Sequence, residues 1–490
     1  MRKKLSKKQL LNHNLDKSTP GFLSNLSVII VCSMFFCLFL YMIGYFCHFI
    51  MTNEQDMVNN SYNSRQQILL SRNYRGTIFA SGGETLAETV VDVEQNETRV
   101  YPYKNLFSHV VGYSVNGRMG VEALANYYLI NTNTSLENKV KNDMAGLKNP
   151  GNNVYTTLDV AMQELADKEL NIYKGAIIVT EVKTGRILAM VSHPDFDPNT
   201  IEENWDNYLA STTSSVLLNR ATQGLYPPGS TFKIITSLEY IRENPDTYQT
   251  YRYHCNGSYS NGDRKISCYH QAVHGDLDFH KSFAKSCNAS YTNIGMQLDR
   301  ERFRDTLEEL LFFRDLPVTL QYSKSSTDVD SYTPDDEMMQ VSIGQGKTEI
   351  TPIHLNMITC AIANGGVLMK PYLIDRVEND TGNIVKRFAP ETYGALMTKK
   401  EAEILTRMLQ GVVQNGTASK LKGKTYTAAG KTGSAEYGTV KGDSHAWFTG
   451  FAPVEDPEIC VTIIVEGAGS GGDYAVPIAA SLFDRYFQQK

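Results

Sequence analysis

Residues Tyr226 to Ile241 read "YPPGSTFKIITSLEYI", and the rest of the chain is interpreted outward from this stretch. Pro227-Pro228-Gly229 holds the backbone extended. The apolar residues Phe232, Ile234, Ile235, Leu238 and Ile241, at helical spacing, then start a helix. Ser230 and Lys233, three apart in its first turn, share one face. A hydroxyl placed there is made nucleophilic by a neighbouring amine, and the helix N-terminus offers backbone N–H groups to a developing oxyanion. The pair alone is weak evidence, because Ser-x-x-Lys recurs at Ser282/Lys285 and at Ser419/Lys422. A solvated helix face explains such a pattern equally well.

Order and context supply the specificity. "SFAKSCNASYTNIG", Ser282 to Gly295, contains Ser286-Cys287-Asn288, and "TAAGKTGSAEYG", Thr427 to Gly438, contains Lys431-Thr432-Gly433. The second triplet sits on a strand among the small residues Ala428, Ala429, Gly430 and Ser434, so a substrate backbone can lie alongside it as an added strand. The same triplet at Lys183-Thr184-Gly185 precedes Ser230 and falls between two β-rich runs of Gly175 to His193. It reads as a hairpin turn, with Gly explained by backbone geometry and Lys by solvent. "HAWFTGFAP" and "EICVTIIVEG" supply further strands, and an apolar helix over about residues 477–487 closes the chain. Strands at both ends of a segment with helical sequence between them predict one antiparallel sheet covered by helices.

The motifs S-x-x-K, S-x-N and K-T-G in this order are the signature of β-lactamases and penicillin-binding proteins. The chain resembles the class B penicillin-binding proteins, the monofunctional peptidoglycan D,D-transpeptidases, with Cys287 in the middle position of the second motif. "GAIIVTEVKTGRILAMVSHPDFDPN", "NRATQGLYPPGSTFK", "SIGQGKTEITPIHLNMI" and "HAWFTGFAP" resemble family blocks in family order. "RGTIFASGGETLAE" resembles the box of the family's membrane-proximal module, with Ala80-Ser81 in place of the usual Asp-Arg. The resemblance implies an α+β transpeptidase fold. In it, a five-stranded antiparallel sheet covered by helices and an all-helical subdomain follow a small α+β membrane-proximal module and one transmembrane helix.

The same resemblance implies the roles of the site residues. Ser230 attacks the carbonyl between the terminal D-alanines of a stem peptide, with neutral Lys233 as its base. Ser286 relays the proton to the departing amine, and Asn288 holds the substrate amide. Lys431, Thr432 and Gly433 belong to the substrate-binding strand, with Lys431 and Thr432 on the terminal carboxylate. The N–H groups of Ser230 and Ser434 form the oxyanion hole. Implied partners are stem peptides ending in D-Ala-D-Ala, β-lactam antibiotics and a membrane glycan polymerase of the shape, division or sporulation type. No cofactor is implied.

Composition sets the remaining bounds. The chain has 490 residues, 42% of them hydrophobic, and a net charge of −6, a globular makeup that does not suggest a nucleic-acid partner. Leu26 to Ile50 contains no Asp, Glu, Lys or Arg and, at about 1.5 Å per residue, crosses a hydrocarbon layer of about 30 Å. Arg2, Lys3, Lys4, Lys7, Lys8 and Lys17 precede it against a single acid, Asp16, which predicts a cytoplasmic N-terminus and an extracytoplasmic catalytic domain. The expected divisions are a basic arm (1–25), a membrane helix (26–50), a membrane-proximal module (51–154) and a transpeptidase domain (155–490).

Cysteine chemistry follows from the compartment. Outside the span stand Cys255, Cys268, Cys287, Cys360 and Cys460. Five is an odd number, which leaves at least one thiol unpaired. The stretch "YHCNGSYSNGDRKISC" carries His254, Cys255 and Cys268. A metal would need four convergent ligands, so a Cys255–Cys268 disulfide across the Asn-Gly-rich loop is the favoured reading, with packing or free thiols as the alternatives. Cys360 and Cys460 read as core. Competing functions that keep an acylated serine are a β-lactam receptor, a carboxypeptidase and a tethered β-lactamase. The receptor would need a cytoplasmic effector, for which a 25-residue arm is too short.

Overall fold

The computed structural model describes residues 20–59, 64–211, 215–437 and 443–488. The chain divides into two compact units, one up to Gln66 and one from Gln67 to Lys490. The first contains the helix Pro20–Asn59. Its segment Leu26–Phe49, with a mean hydropathy of 2.6 and no burial, is long and apolar enough to cross a membrane. The basic arm that precedes this helix lies outside the described residues.

In the second unit a five-stranded antiparallel sheet is built from β1 (Gly175–Glu181), β2 (Ile187–His193), β3 (Ala429–Glu436), β4 (Ser444–Ala452) and β5 (Ile459–Val465), in the spatial order β3-β4-β5-β1-β2. The ends of the segment meet at the β5–β1 pair, as the placement of strand-like sequence at both ends predicts. Every residue of β4 and β5 is buried, so the sheet is covered on both faces, and its strands read as continuous apolar runs rather than alternating ones.

Five helices matter for the site: α1 (Lys233–Glu243), α2 (Asn288–Gly295), α3 (Pro352–Ala363), α4 (Lys399–Asn415) and α5 (Ala475–Gln488). Helix α3 is buried along nearly its whole length, and it carries polar groups that the sheet satisfies. Thr180 donates to Asn356 Oδ1 at 2.8 Å, Asn356 Nδ2 donates to Thr462 at 3.2 Å, and Thr359 and Thr449 share a hydrogen bond of 2.7 Å. Such a satisfied polar seam fixes the register of helix on sheet, where apolar packing alone would let it slide. Helix α4 opens with a capping box formed by Thr398 and Glu401 and packs beside β3. The closing helix α5 matches its predicted position within two residues and packs on β4 and β5.

A second, six-stranded sheet runs in the order 384–387, 374–378, 153–156, 78–79, 85–91 and 97–100. The sequence reading divides the chain between residues 154 and 155. The strands Ile374–Glu378 and Ile384–Arg387, taken from deep within the second of these divisions, nevertheless complete the six-stranded sheet. These strands are short, and what decides which sheet they join is a pairing more than two hundred residues away, which local pattern does not report. Tyr372, just ahead of them, is bridged to Arg186 in the β1–β2 turn: Tyr372 N donates to Gly185 O at 3.0 Å and Ile187 N to Tyr372 O at 3.1 Å. Beneath the six strands Arg75 and Arg99 converge on the fully buried Glu122, donating through their Nε atoms at 2.6 and 2.7 Å. Ala80, where the family box has an acid, is fully buried.

Candidate active site

Ser230 sits on a short 3-10 turn, Gly229–Phe232, that runs directly into α1. The turn is braced from two sides. Gly229 N donates to Gly344 O at 2.8 Å, and the Trp447 indole donates to Pro227 O at 3.1 Å. Gly344 has a φ of +73°, and a Cβ there would lie 2.2 Å from Gly229 O, so both the conformation and the close approach require glycine. Gly229 in turn lies against Ser434 and Ala435 of β3, which a Cβ would meet at 3.0 Å. The nucleophile turn and the edge strand are therefore in van der Waals contact.

Lys233 is completely buried and meets four oxygens: Ser286 O and Asn288 Oδ1 at 2.7 Å, Ser230 Oγ at 3.1 Å and Ser286 Oγ at 3.3 Å. The two short contacts are to carbonyl oxygens, which can only accept, whereas the two longer ones are to hydroxyls, which can also donate. A neutral amine has two N–H bonds and one lone pair, so with both N–H bonds on the carbonyls the lone pair faces the hydroxyls. Burial pushes the Lys233 ammonium down to about 7, with the neighbouring Cys287 and Cys268 sulfurs pulling the other way. Its nitrogen also stands 5.4 Å from the Tyr291 ring centre.

Lys431, on β3, is equally buried and donates to Ser286 Oγ at 2.8 Å and Thr432 O at 3.1 Å. Burial, and secondarily the charge of Lys233, holds its ammonium well below the usual lysine range. Ser286 Oγ thus lies between two amines. Its backbone has a φ of +55°, a left-handed conformation that non-glycine residues adopt at a cost. Asn288 opens α2 and anchors its amide on Ser267 O at 3.0 Å. Thr432 is hydrogen-bonded to Thr417 at 2.5 Å, and Ser434 Oγ accepts from Gly471 N at 3.3 Å. Gly433 packs so closely that a Cβ would sit 2.9 Å from Pro228 O. Strand β3 pairs only with β4 among the described strands, which leaves its outer edge for an extended chain.

The three motifs singled out in the sequence converge, and their duplicates do not. Ser282 is buried and bonded to Ser290, while Lys285 is exposed. Ser419 is exposed, and Lys422 donates to Gln414 O. Lys183 pairs with Asp456 at the surface. In the sequence "SIGQG" stood out only as part of a block resembling the family's, and its brace on Gly229 was not legible there. Nor were the aromatic faces of Tyr291 and Phe283, the latter 5.5 Å from Lys431 Nζ. The G-x-G spacing of Gly344 and Gly346 is the one local signal that pointed to a constrained loop.

The cysteines depart from expectation. Cys255 and Cys268 are free, with their sulfurs 3.7 Å apart, against about 2.05 Å for a disulfide. Each has another neighbour, because Cys287 and His274 crowd the same spot. Cys360 and Cys460 are buried in α3 and β5, as expected of core residues.

Residues 175–484 match the family model of the penicillin binding protein transpeptidase domain, and residues 75–154 match that of the penicillin binding protein A dimerisation domain. The chain is 29% identical over 453 residues to the peptidoglycan D,D-transpeptidase PbpA of Mycolicibacterium smegmatis, covering 84% of this chain and 89% of that one. The D,D-transpeptidase domain of a peptidoglycan glycosyltransferase from Eggerthella lenta superposes with a TM-score of 0.77 at 29% identity, covering 85% of this chain and 99% of the other. The ceftriaxone acyl-enzyme complex of penicillin-binding protein A from M. tuberculosis does so with a TM-score of 0.77 at 26% identity and the same coverage.

Proposed function

The chain belongs to the penicillin-binding protein transpeptidases, and from that premise we propose that it cross-links peptidoglycan stem peptides through an ester on Ser230 and is acylated at the same atom by β-lactams. The observation that carries the assignment of roles is the placement of Lys233. Its lone pair is directed to the Ser230 hydroxyl by two carbonyl acceptors, and burial lowers the ammonium to about 7, so that a large share of the amine is neutral at neutral pH.

Ser230 Oγ forms a bond to the carbonyl carbon between the two terminal D-alanines as its proton passes to Lys233 Nζ. The carbonyl π electrons move to oxygen, and the N–H groups of Ser230 and Ser434 stabilise the resulting oxyanion. Collapse breaks the C–N bond. The departing D-alanine nitrogen takes a proton from Ser286 Oγ, which is replenished by a lysine ammonium within hydrogen-bond reach. The substrate's terminal carboxylate sits against Lys431 and Thr432, its charge drawing Lys431 into the cationic form, and Asn288 holds the substrate amide. A second stem peptide's amine, entering where the D-alanine has left while the acyl chain stays along the open edge of β3, then attacks the ester in the reverse sense and leaves the cross-link.

The apolar helix anchors the chain with the positive arm in the cytoplasm and the catalytic unit outside, and a separate membrane glycan polymerase supplies the strands to be joined. Ser230→Ala abolishes covalent labelling by a fluorescent penicillin, while Ser282→Ala and Ser419→Ala leave it in place. Peptide mapping that puts the adduct on Ser282 or Ser419 refutes the reading. The natural reaction is checked with lipid-linked substrate and a glycan polymerase, where penicillin-sensitive cross-linked dimers are expected. Release of D-alanine without dimers would mark a carboxypeptidase instead.

A further inference from the structure

A cavity of about 690 Å³ opens beside the end of β2, lined among others by Asn105, Asp167, Asn171, Tyr173, His193 and Asp195. It stands outside the three motifs but on their sheet. Cross-strand partners run in one row from His193 through Gly175, Val465 and Ala446 to Ser434. Four strand spacings of about 4.8 Å make about 19 Å, the reach of a peptide branch of about six extended residues. The cavity wall is also joined to the nucleophile turn. Lys174 O accepts from Glu466 N at 2.8 Å, and the Glu466 carboxylate accepts from the hydroxyl of Tyr226, the residue before Pro227, at 2.7 Å.

The walls hold their shape without a ligand. Asn171 N donates to Asp167 O at 2.9 Å and Tyr173 N to Leu170 O at 3.1 Å, which fixes the loop after the helix Val160–Leu170. Both His193 ring nitrogens are engaged, Nδ1 by Asn171 O at 2.9 Å and Nε2 by Asp167 Oδ1 at 2.7 Å, and Asn105 Nδ2 donates to Asp195 Oδ2 at 2.7 Å. Each of the two carboxylates has a second oxygen with lone pairs for hydroxyl protons. At the rim the Tyr173 ring, 38% exposed, meets the Tyr474 ring in an edge contact at 5.9 Å, an apolar face with a polar tip. Lys168 and Lys174 line the same cavity and balance the charges of Asp167 and Asp195. Such a lining suits a neutral ligand rich in hydroxyl and amide groups better than an ion.

We propose that this cavity binds the sugar backbone of the acceptor glycan strand, with the Tyr173 ring against a sugar face and Asp167, Asp195 and Asn105 on its hydroxyl and acetamido groups, and so presents that strand's stem peptide to the Ser230 ester. A stem peptide is a branch on a sugar polymer, and the polymer has to pass over surface beyond the reacting groups. Sugar rings carry neutral donors and acceptors around an apolar C–H face, which is what the lining matches. The acyl chain lies along the outer edge of β3, whereas β2 is the opposite edge of the sheet. The strand reached from the cavity is therefore the second one. The presenting role rests on the cross-linking reaction proposed above; the binding of glycan does not.

The test titrates glycan chains, freed of their stem peptides by an amidase, into the full-length chain in detergent and reads binding by calorimetry. A linear glucan of similar length, which lacks acetamido groups, is the control and is expected not to bind. Binding of the peptide-free glycan is expected, weakened about tenfold in Tyr173→Ala and in Asp195→Asn and kept in Tyr173→Phe. With lipid-linked substrate and a glycan polymerase, Tyr173→Ala raises the acceptor concentration for half-maximal dimer formation by a similar factor. Acylation by a fluorescent penicillin, which involves no sugar, keeps its rate and reports an intact fold. Wild-type chain that binds no glycan, that binds the glucan equally well, or whose affinity survives in Tyr173→Ala overturns the site. An unchanged acceptor dependence in Tyr173→Ala overturns the presenting role. Glycan binding that Tyr173→Ala weakens, in a chain that makes no dimers, upholds the site and strikes the cross-linking reading instead.

Discussion

Lys233 is where the chemistry meets the packing. An amine buried among carbonyls and hydroxyls is held near neutrality by the loss of water, and catalysis as a base needs that neutral form. The sign of the pH dependence follows: below about 7 the amine is protonated and its lone pair is gone, so penicillin acylation rises with pH and levels off above that value. Stopped-flow acylation rates measured from about pH 5 to about pH 9 should show one such ionisation. A flat profile would remove Lys233 as the base. Lys233→Arg, which stays charged throughout, is expected to lower the rate by about 10²–10⁴-fold. That a serine and a lysine share a helix face was legible in the sequence from their spacing. That the lysine has two acceptors and two hydroxyls around it was not, because Ser286 and Asn288 arrive from another helix.

Among the elements, the turn that carries Ser230 depends on a loop more than a hundred residues further on. Gly344 and Gly346 both have positive φ, +73° and +72°, but only Gly344 stands against the nucleophile turn. A Cβ at Gly344 meets Gly229 O at 2.2 Å, whereas at Gly346 it meets the Gln340 side chain at 3.3 Å. The left-handed conformation alone costs an alanine about 1–2 kcal/mol, so both Gly344→Ala and Gly346→Ala should lower Tm. Only Gly344→Ala should also slow acylation, since it alone displaces Gly229. Equal acylation rates in the two variants would show that the brace does not govern the nucleophile. The sheet strands, the β1–β2 hairpin and the closing helix could be read from apolar runs and turn residues. The brace could not, because a backbone contact between distant glycines leaves no periodicity. For the same reason His274 and Cys287 went unnoticed as neighbours of Cys255 and Cys268: His274 arrives with the pairing of strand 275–278 on 252–255, and Cys287 with the helix it caps.

At the scale of the whole molecule, the proposed orientation rests on the basic arm and the apolar helix. A cysteine placed at Tyr332, which is 91% exposed, should react with an impermeant thiol reagent on intact cells, and one placed at Ser6 should not. The reverse labelling would place the catalytic unit in the cytoplasm and sink the proposed substrate. A chain read linearly divides near residue 155, but the folded one does not, since strands 374–378 and 384–387 return to the first sheet. That return has a mechanical meaning. Tyr372 is held in the β1–β2 turn by hydrogen bonds on both sides, and two residues later the same backbone enters the six-stranded sheet. The sheets are thus joined by a seam rather than by a tether. A twist applied to one is borne by several hydrogen bonds loaded together in shear, so it reaches the other as torque instead of being absorbed as slack.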